Sequence, residues 1–236
     1  KGDRAKAEGY RGEAVDLGRR VQDLYVPGRG IWKCKLPDGS YNEVHHCYDF
    51  GVTLMTIGDM MPATQKREMV DFFVRELKTP TWMRALSTKD LDVTFSIRPD
   101  HQWTGAYCSW PALALSGLFA AGAVDLANDW IKGLAKTSMQ GPYAQAHFTE
   151  SFYTPESNGA ASKSPSDQPY INDWACVSGC NYLEPIVDSL FGVNAGLFDG
   201  VTAKPQFGKF DPNAELRNIN YQVKRHTDGK NGIRTA

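Results

Sequence analysis

The chain has no apolar run near the ~18 residues that a membrane-spanning helix needs. It also has no surplus of either charge: 26 Lys and Arg stand against 27 Asp and Glu in 236 residues. That balance gives no electrostatic footprint for nucleic acid or for an anionic membrane, so neither is expected as a partner. Cysteine is sparse, with five residues at 34, 47, 108, 176 and 180. An odd, widely spread set does not make the disulfide framework of a short secreted domain, and mostly buried thiols are expected instead. Cys176 and Cys180 have the i,i+4 spacing of a shared metal site. No histidine or second cysteine pair accompanies them, so no metal and no cofactor is expected. No basic stretch leading into an apolar segment opens the chain, so no signal peptide is legible in it. A mature secreted protein or a fragment would read the same way, and a periplasmic or secreted location is slightly favoured. The length fits one large domain or a domain and a half.

What is present is helical periodicity. It predicts helices near 12–25, 47–60, 64–78, 105–120, 123–138 and 174–191. In the first, Ala14, Leu17, Val21 and Leu24 form one apolar stripe, and Pro27-Gly28-Arg29-Gly30 ends it. The second carries Phe50, Val52, Leu54, Met55, Ile57 and Met60 with almost no charge before Asp59, which predicts burial nearly all round. The third is amphipathic, with Met69, Phe72, Phe73 and Leu77 opposite Lys66, Arg67, Glu68, Asp71, Arg75 and Glu76. Residues 110–119 are again uncharged, 124–134 are amphipathic, and 174–191 have only Glu184 and Asp188 as carboxylates. Apolar helices alternating with amphipathic ones imply an inner and an outer layer.

The connections alternate too. Residues 60–64 and 120–123 are tight turns, whereas 26–46, 79–104 and 139–173 are long. Irregular connections beyond ~12–15 residues in a compact domain are usually functional or disordered. In antiparallel hairpins alternate connections lie at alternate ends, so the three long ones should share the end where the inner helices begin. The fold expected is mainly α, a toroid of helical hairpins over residues 1–196. A β-rich segment, 197–236, follows, with strand alternation over 216–224. Three hairpins are fewer than a closed toroid requires, and further residues of the same polypeptide before Lys1 are expected as its partner.

The long connections carry the chemistry. Trp32, Trp82 and Trp103 suit stacking on the C–H face of a sugar, with Trp32 and Trp103 favoured as rim residues; Trp174 stands at the edge and also reads as packing at a helix end. Asp49, in His45-His46-Cys47-Tyr48-Asp49-Phe50, opens an inner helix and reads either as a complement to the helix dipole or as a catalytic acid. Asp100, in Arg98-Pro99-Asp100-His101-Gln102-Trp103, reads either as a loop-ordering partner of Arg98 or as a substrate contact. His45 and His46 are adjacent and should point to opposite faces, which argues against one metal between them. His101 beside Gln102 suits a polar sugar contact.

Glu150-Ser151-Phe152-Tyr153-Thr154-Pro155-Glu156-Ser157-Asn158-Gly159 resembles the last long loop of the (α/α)₆ toroid glycosidases related to trehalase and the processing α-glucosidases. Gln102-Trp103-Thr104-Gly105-Ala106-Tyr107-Cys108-Ser109-Trp110 is similar to a second segment of that group, with Thr104 and Ala106 at positions of the family's Arg and Pro. The resemblance runs from about residue 13 to 195 and covers the C-terminal half of such a toroid. It implies a glycoside hydrolase acting on an oligosaccharide or glycoside, with Glu150 as catalytic base and no cofactor; His45, His46, Tyr48, Trp82, Arg98 and Tyr153, placed at the cleft end by the long connections, are the further candidate substrate contacts. The acid is then Asp49, Asp100, or a residue of an earlier hairpin. Inversion follows if the two carboxyl groups stand ~6.5–9.5 Å apart. Two other classes remain: a helical-toroid polysaccharide lyase using His101, His147 and Tyr153, and a non-catalytic glycan-binding toroid.

Overall fold

Two glycines let a pair of helices cross closely. Helix α2 (Cys47–Ile57) and helix α4 (Ser109–Ala120) cross where a Cβ on Gly51 would lie 2.8 Å from Leu113 Cγ and 3.0 Å from its carbonyl oxygen. A Cβ on Gly117 would lie 3.1 Å from Gly51 Cα and 3.6 Å from Leu54 Cδ1. Met55, late in α2, lines one cavity with Ser116, Phe119 and Ala120, late in α4. Residues 82–85 bond to Ala106 just before α4 and to Cys47 at the start of α2, so the two helices run in the same direction. Their N-terminal ends therefore share one side. The computed structural model describes residues 3–90, 105–106, 109–138, 151–153, 161–163, 183–196 and 200–210. Among these the protein is mainly α, and no helix is long and apolar enough to cross a membrane.

Helix α4 is buried nearly all round, as its uncharged sequence predicts, with Pro111, Ala112, Ala114, Leu115, Leu118 and Phe119 in the core. Helix α2 is not. Phe50 and Leu54 are buried, but Val52 is 43% and Met55 47% exposed, so its outer face meets no described element. Around this pair pack α3 (Ala63–Phe72), continued by a π-helical turn over Phe73–Leu77, and α5 (Val124–Ser138). Phe73 stacks on Phe50 at 4.5 Å between centroids and meets Trp130 of α5 edge-on at 5.2 Å. The tight turn expected at 120–123 is present: Gly122 has φ 78°, and the amides of Ala121, Gly122 and Ala123 donate back to carbonyls of α4.

Helix α1 spans Arg4–Gln22, starting earlier than the periodicity suggests because Asp3 caps it, accepting from Lys6 N at 3.0 Å. Its contact face also differs. Leu17 is 55% exposed, and the helix instead seats Gly18 against Met60 and Ile57, with Gln22 Nε2 donating to Met60 O at 2.9 Å. Val21 and Leu24 of the expected stripe do pack against the core, whereas Gly18 takes the place of Leu17 because a glycine lets the backbone come close.

The connection 26–46 is not irregular. It belongs to an antiparallel sheet of β1 (Tyr25–Val26), β2 (Ile31–Lys35) and β3 (Tyr41–Val44), with Trp32 opposite both Tyr25 and Val44. Gly30, at φ 69°, has no room for a side chain, since a Cβ there would fall 2.0 Å from Glu68 O. Asp38 Oδ1 accepts from Ser40 N and Oγ and shapes the β2–β3 turn. Cys34, on β2, is exposed, contrary to the expectation for thiols, whereas Cys47 is buried.

The helix expected at 174–191 is described from Leu183, most of it as a π-helical turn over Pro185–Leu190. The boundary expected at 197 falls inside a hairpin, where β7 (Val193–Gly196) pairs with β8 (Gly200–Ala203). Residues 204–210 then return to the helices: Asn128 Nδ2 donates to the carbonyls of Gln206 and Phe207, and Asp125 Oδ1 accepts from Lys209 N. The strand expected at 216–224 lies outside the described residues.

A methyl group at position 51 must displace backbone or the middle of a leucine. Gly51→Ala should therefore destabilise the protein by about 1–3 kcal/mol, although alanine is the better helix former by about 1 kcal/mol. Gly12→Ala, on the exposed part of α1 with nothing within 4 Å, should stabilise by about 0.5–1 kcal/mol. Urea unfolding of the two variants checks the pair; equal shifts would refute the close crossing.

Candidate functional site

The N-terminal end of α2 is where the long connections meet. Residues 79–90 leave the π-helical turn and fold back on it, with Thr79 N bonded to Trp82 O and Arg84 N to Leu77 O. They then run against the start of α2: Ala85 O accepts from Cys47 N, His46 bridges Leu86, and His45 O accepts from Ser87 N. Trp82 Nε1 reaches onward to Ala106 O at 3.1 Å. Ala106 belongs to β4 (Gly105–Ala106), which pairs with β5 (Ser151–Tyr153), itself paired with β6 (Ala161–Lys163). The described parts of all three long connections are thus joined by backbone and indole hydrogen bonds.

Two carboxylates occupy this junction in opposite environments. Glu76, in the π-helical turn, is 5% exposed and accepts from Ser87 Oγ at 2.6 Å, Arg75 Nη2 at 3.0 Å and Lys89 Nζ at 3.2 Å, with His45 Nδ1 at 3.1 Å. Burial works to raise its pKa, but the bonds from Ser87, His45, Arg75 and Lys89 overcome that and hold it at about 2. π-Helical turns occur often at functional sites. Asp49, one turn into α2, is only partly shielded as a residue, yet its Oδ2 is buried and has no hydrogen-bond donor among the described residues. His46 Nδ1 lies 3.7 Å from it, an ion-pair distance. Burial pushes the Asp49 carboxyl up, His46 opposes the rise, and the negative charge of Asp90 adds to it.

Asp90 is itself buried, and its Oδ2 accepts from His45 N. The adjacent histidines therefore serve different carboxylates, His45 facing Glu76 and His46 facing Asp49, as opposite-facing neighbours should. Among the described residues no group of three His, Cys, Asp or Glu is placed to hold a metal ion.

Several expected contacts fall elsewhere. Trp32 is 3% and Trp82 1% exposed, so neither presents a ring face to a ligand. Trp32 packs edge-on against Tyr25, and Trp82 lies in the core. Their indoles fill space at helix ends, which apolar area favours over display at a rim. His45 is likewise interior and engaged with Glu76, not available to a sugar. Tyr48 lies in α2 and Tyr153 in β5. Glu150, Arg98, Asp100, His101, Gln102, Trp103 and Trp174 lie outside the described residues.

Ser87, Lys89 and Asp90 carry no site signal in the sequence, and Glu76, expected on the charged face of its helix, is interior. Glu76 had a readable signal: it follows Met69 by seven residues, Phe72 by four and Phe73 by three, which puts it on the buried stripe. Neither of two cavities, one of about 300 Å³ against the C-terminal half of α4 and one of about 560 Å³ beside the turn at 122–126, adjoins this junction. No model of a known protein family and no curated protein sequence matches the chain.

A carboxylate drawn from an ordinary 4.5 to about 2 contributes roughly 3 kcal/mol of stability. That contribution is complete above pH 4.5 and is lost as pH falls toward 2, because the unfolded chain takes up the proton first. Glu76→Gln should lower stability at pH 7 by about that amount and flatten its decline between pH 4.5 and 2. Urea unfolding at pH 7 and pH 3 measures both; an unchanged acid limb would show that Glu76 is not the depressed group.

Proposed function

We propose that the protein is a glycoside hydrolase of the helical-hairpin toroid type. It cleaves an oligosaccharide or glycoside by water with inversion. Asp49 is the general acid that protonates the leaving oxygen, and Glu150 is the base that activates water. The observation that carries this reading is the buried Asp49 Oδ2, without a hydrogen-bond donor among the described residues, at the opening of a helix where the long connections join; burial raises its pKa. A general acid must keep its proton near the working pH, and burial is the usual means of raising a carboxyl for that task.

Further support is the course of the chain after Glu150: the next residue begins β5, which pairs with the strand leading into α4. Two parallel inner helices, both beginning at that end, also fit the hairpin layering of such toroids. With Trp32, Trp82 and His45 in the interior, the sugar-binding role passes to Trp103, His101, Gln102, Arg98, Trp174 and Tyr48.

An acid is needed most when the leaving group is a poor one. Asp49→Asn should therefore lower hydrolysis of an alkyl glycoside or disaccharide by about 10²–10⁴-fold. An aryl glycoside whose phenol leaves without protonation should lose far less. Glu150→Gln should slow both by a similar factor, with sugar affinity little changed. Equal losses on both substrates for Asp49→Asn would remove it as the acid. An ultraviolet-absorbing unsaturated product would replace hydrolysis with elimination, and sugar binding without turnover would leave a glycan-binding protein.

A further inference from the structure

His46 is the last residue before α2, and its backbone is clamped on both sides. Its bridge to Leu86 stands between two hydrogen bonds, from Ser87 N to His45 O and from Cys47 N to Ala85 O. The ring is therefore launched from a fixed point, and Asp49 follows at the i,i+3 spacing that brings side chains together. His46 Nδ1 lies 3.7 Å from Asp49 Oδ2, with the two side chains 24% and 30% exposed. Within that partly exposed carboxyl group, Oδ2 is the buried oxygen and has no hydrogen-bond donor among the described residues. The ring nitrogen is thus placed to serve the oxygen whose lost hydration no described donor replaces. The separation exceeds a hydrogen bond, and catalytic hydrogen bonds are often long until substrate tightens them.

We infer that His46 is a positioning residue for Asp49: its Nδ1–H holds Oδ2 and leaves the transferable proton on Oδ1, the oxygen that meets a leaving group. This rests on the reading of Asp49 as the general acid. The proton passes from Oδ1 to the leaving oxygen as the glycosidic bond breaks. The negative charge left on the carboxylate is met at Oδ2 by the ring N–H, and solvent returns the proton after the product departs. The other charged groups around the pair are engaged differently. From residues 79–90, Lys89 pairs with Glu76, while Asp90 accepts from His45 N and opposes the Asp49 anion. From the π-helical turn, Glu76 is bound by His45 and Arg75. Cys47, at the helix start, is held as a neutral thiol chiefly by burial. None of them gives a hydrogen bond to Asp49 Oδ2.

Two variants separate the donor from the charge. His46→Leu removes both, whereas His46→Asn keeps an N–H and removes the capacity for charge. The carboxyl carbon of Asp49 is followed by NMR against pH in the full chain, without substrate. Its midpoint should rise in both variants, because His46 favours the Asp49 anion. In hydrolysis assays His46→Leu should slow an alkyl glycoside by about 10–10²-fold, the scale of a small misplacement of a reacting group. It should spare an aryl glycoside whose phenol leaves unaided, and move the alkaline limb of the pH profile up with the Asp49 midpoint. His46→Asn should move the limb alike but keep most of the alkyl turnover, and it serves alone if the leucine variant does not fold. An unmoved Asp49 midpoint would overturn the assignment. So would equal losses on the two substrates, the result expected of a residue that merely supports the fold. A raised midpoint in a protein that hydrolyses neither substrate would sink the enzymatic reading and leave His46 as the partner of Asp49 Oδ2.

Discussion

The contact between Gly51 and Gly117 is the constraint on which the remaining arrangement depends. With no side chains between them, α2 and α4 approach until backbone meets backbone, and the ridge formed by Phe50, Leu54 and Leu113 closes around the crossing. The two helices run parallel through that contact, with both N-terminal ends on one side. Among the described residues, the turn back at 79–90 and the short β4–β5–β6 sheet collect there. The opposite side is occupied by the tight turn after α4, the π-helical turn at 185–190 and the β7–β8 hairpin.

At that N-terminal side the fold separates two carboxyl groups by environment. Glu76 is surrounded by donors from the end of β3, its own helix and residues 79–90, so its charge joins three parts of the chain. Asp49 has one histidine and a like charge for company. The first arrangement suits structure, since a saturated carboxylate neither releases nor takes up a proton near neutrality. The second suits chemistry, since a weakly served carboxyl is easily tipped between forms.

Much of the helical frame was legible from residue spacing, and the failures have physical causes. The uncharged stretch 110–119 meant burial because neighbours exist on all its sides. The same composition in α2 left Val52 and Met55 exposed, because apolarity states what can be buried and not what is there to bury it. The alternation Ile31-Trp32-Lys33-Cys34-Lys35, followed by Asp38-Gly39, carried a hairpin signal that the length of the connection does not reveal. Tryptophan in a long connection suggested a ligand platform, yet Trp32 and Trp82 lie where a large apolar surface gains most by leaving water. In the candidate site, Asp49 and the opposed histidines were visible in the sequence. Asp90 was not, because its carboxylate is placed by a backbone amide 45 residues away.

The π-helical turn at 73–77 has a consequence for geometry along the α3 axis. Each α-helical residue advances its side chain by ~100° around that axis, and a π-helical residue advances less, so the residues after the widened turn are rotated relative to a straight continuation. The amide of Lys78 reaches back five residues to Phe73 O, and this wider turn absorbs one residue without the usual advance. The azimuth is thereby reset within a single turn. Leu77 stays on the dry side while Glu76 comes to lie under His45, and one continuous helix serves as a hydrophobic wall along its length and as an electrostatic anchor at its tip.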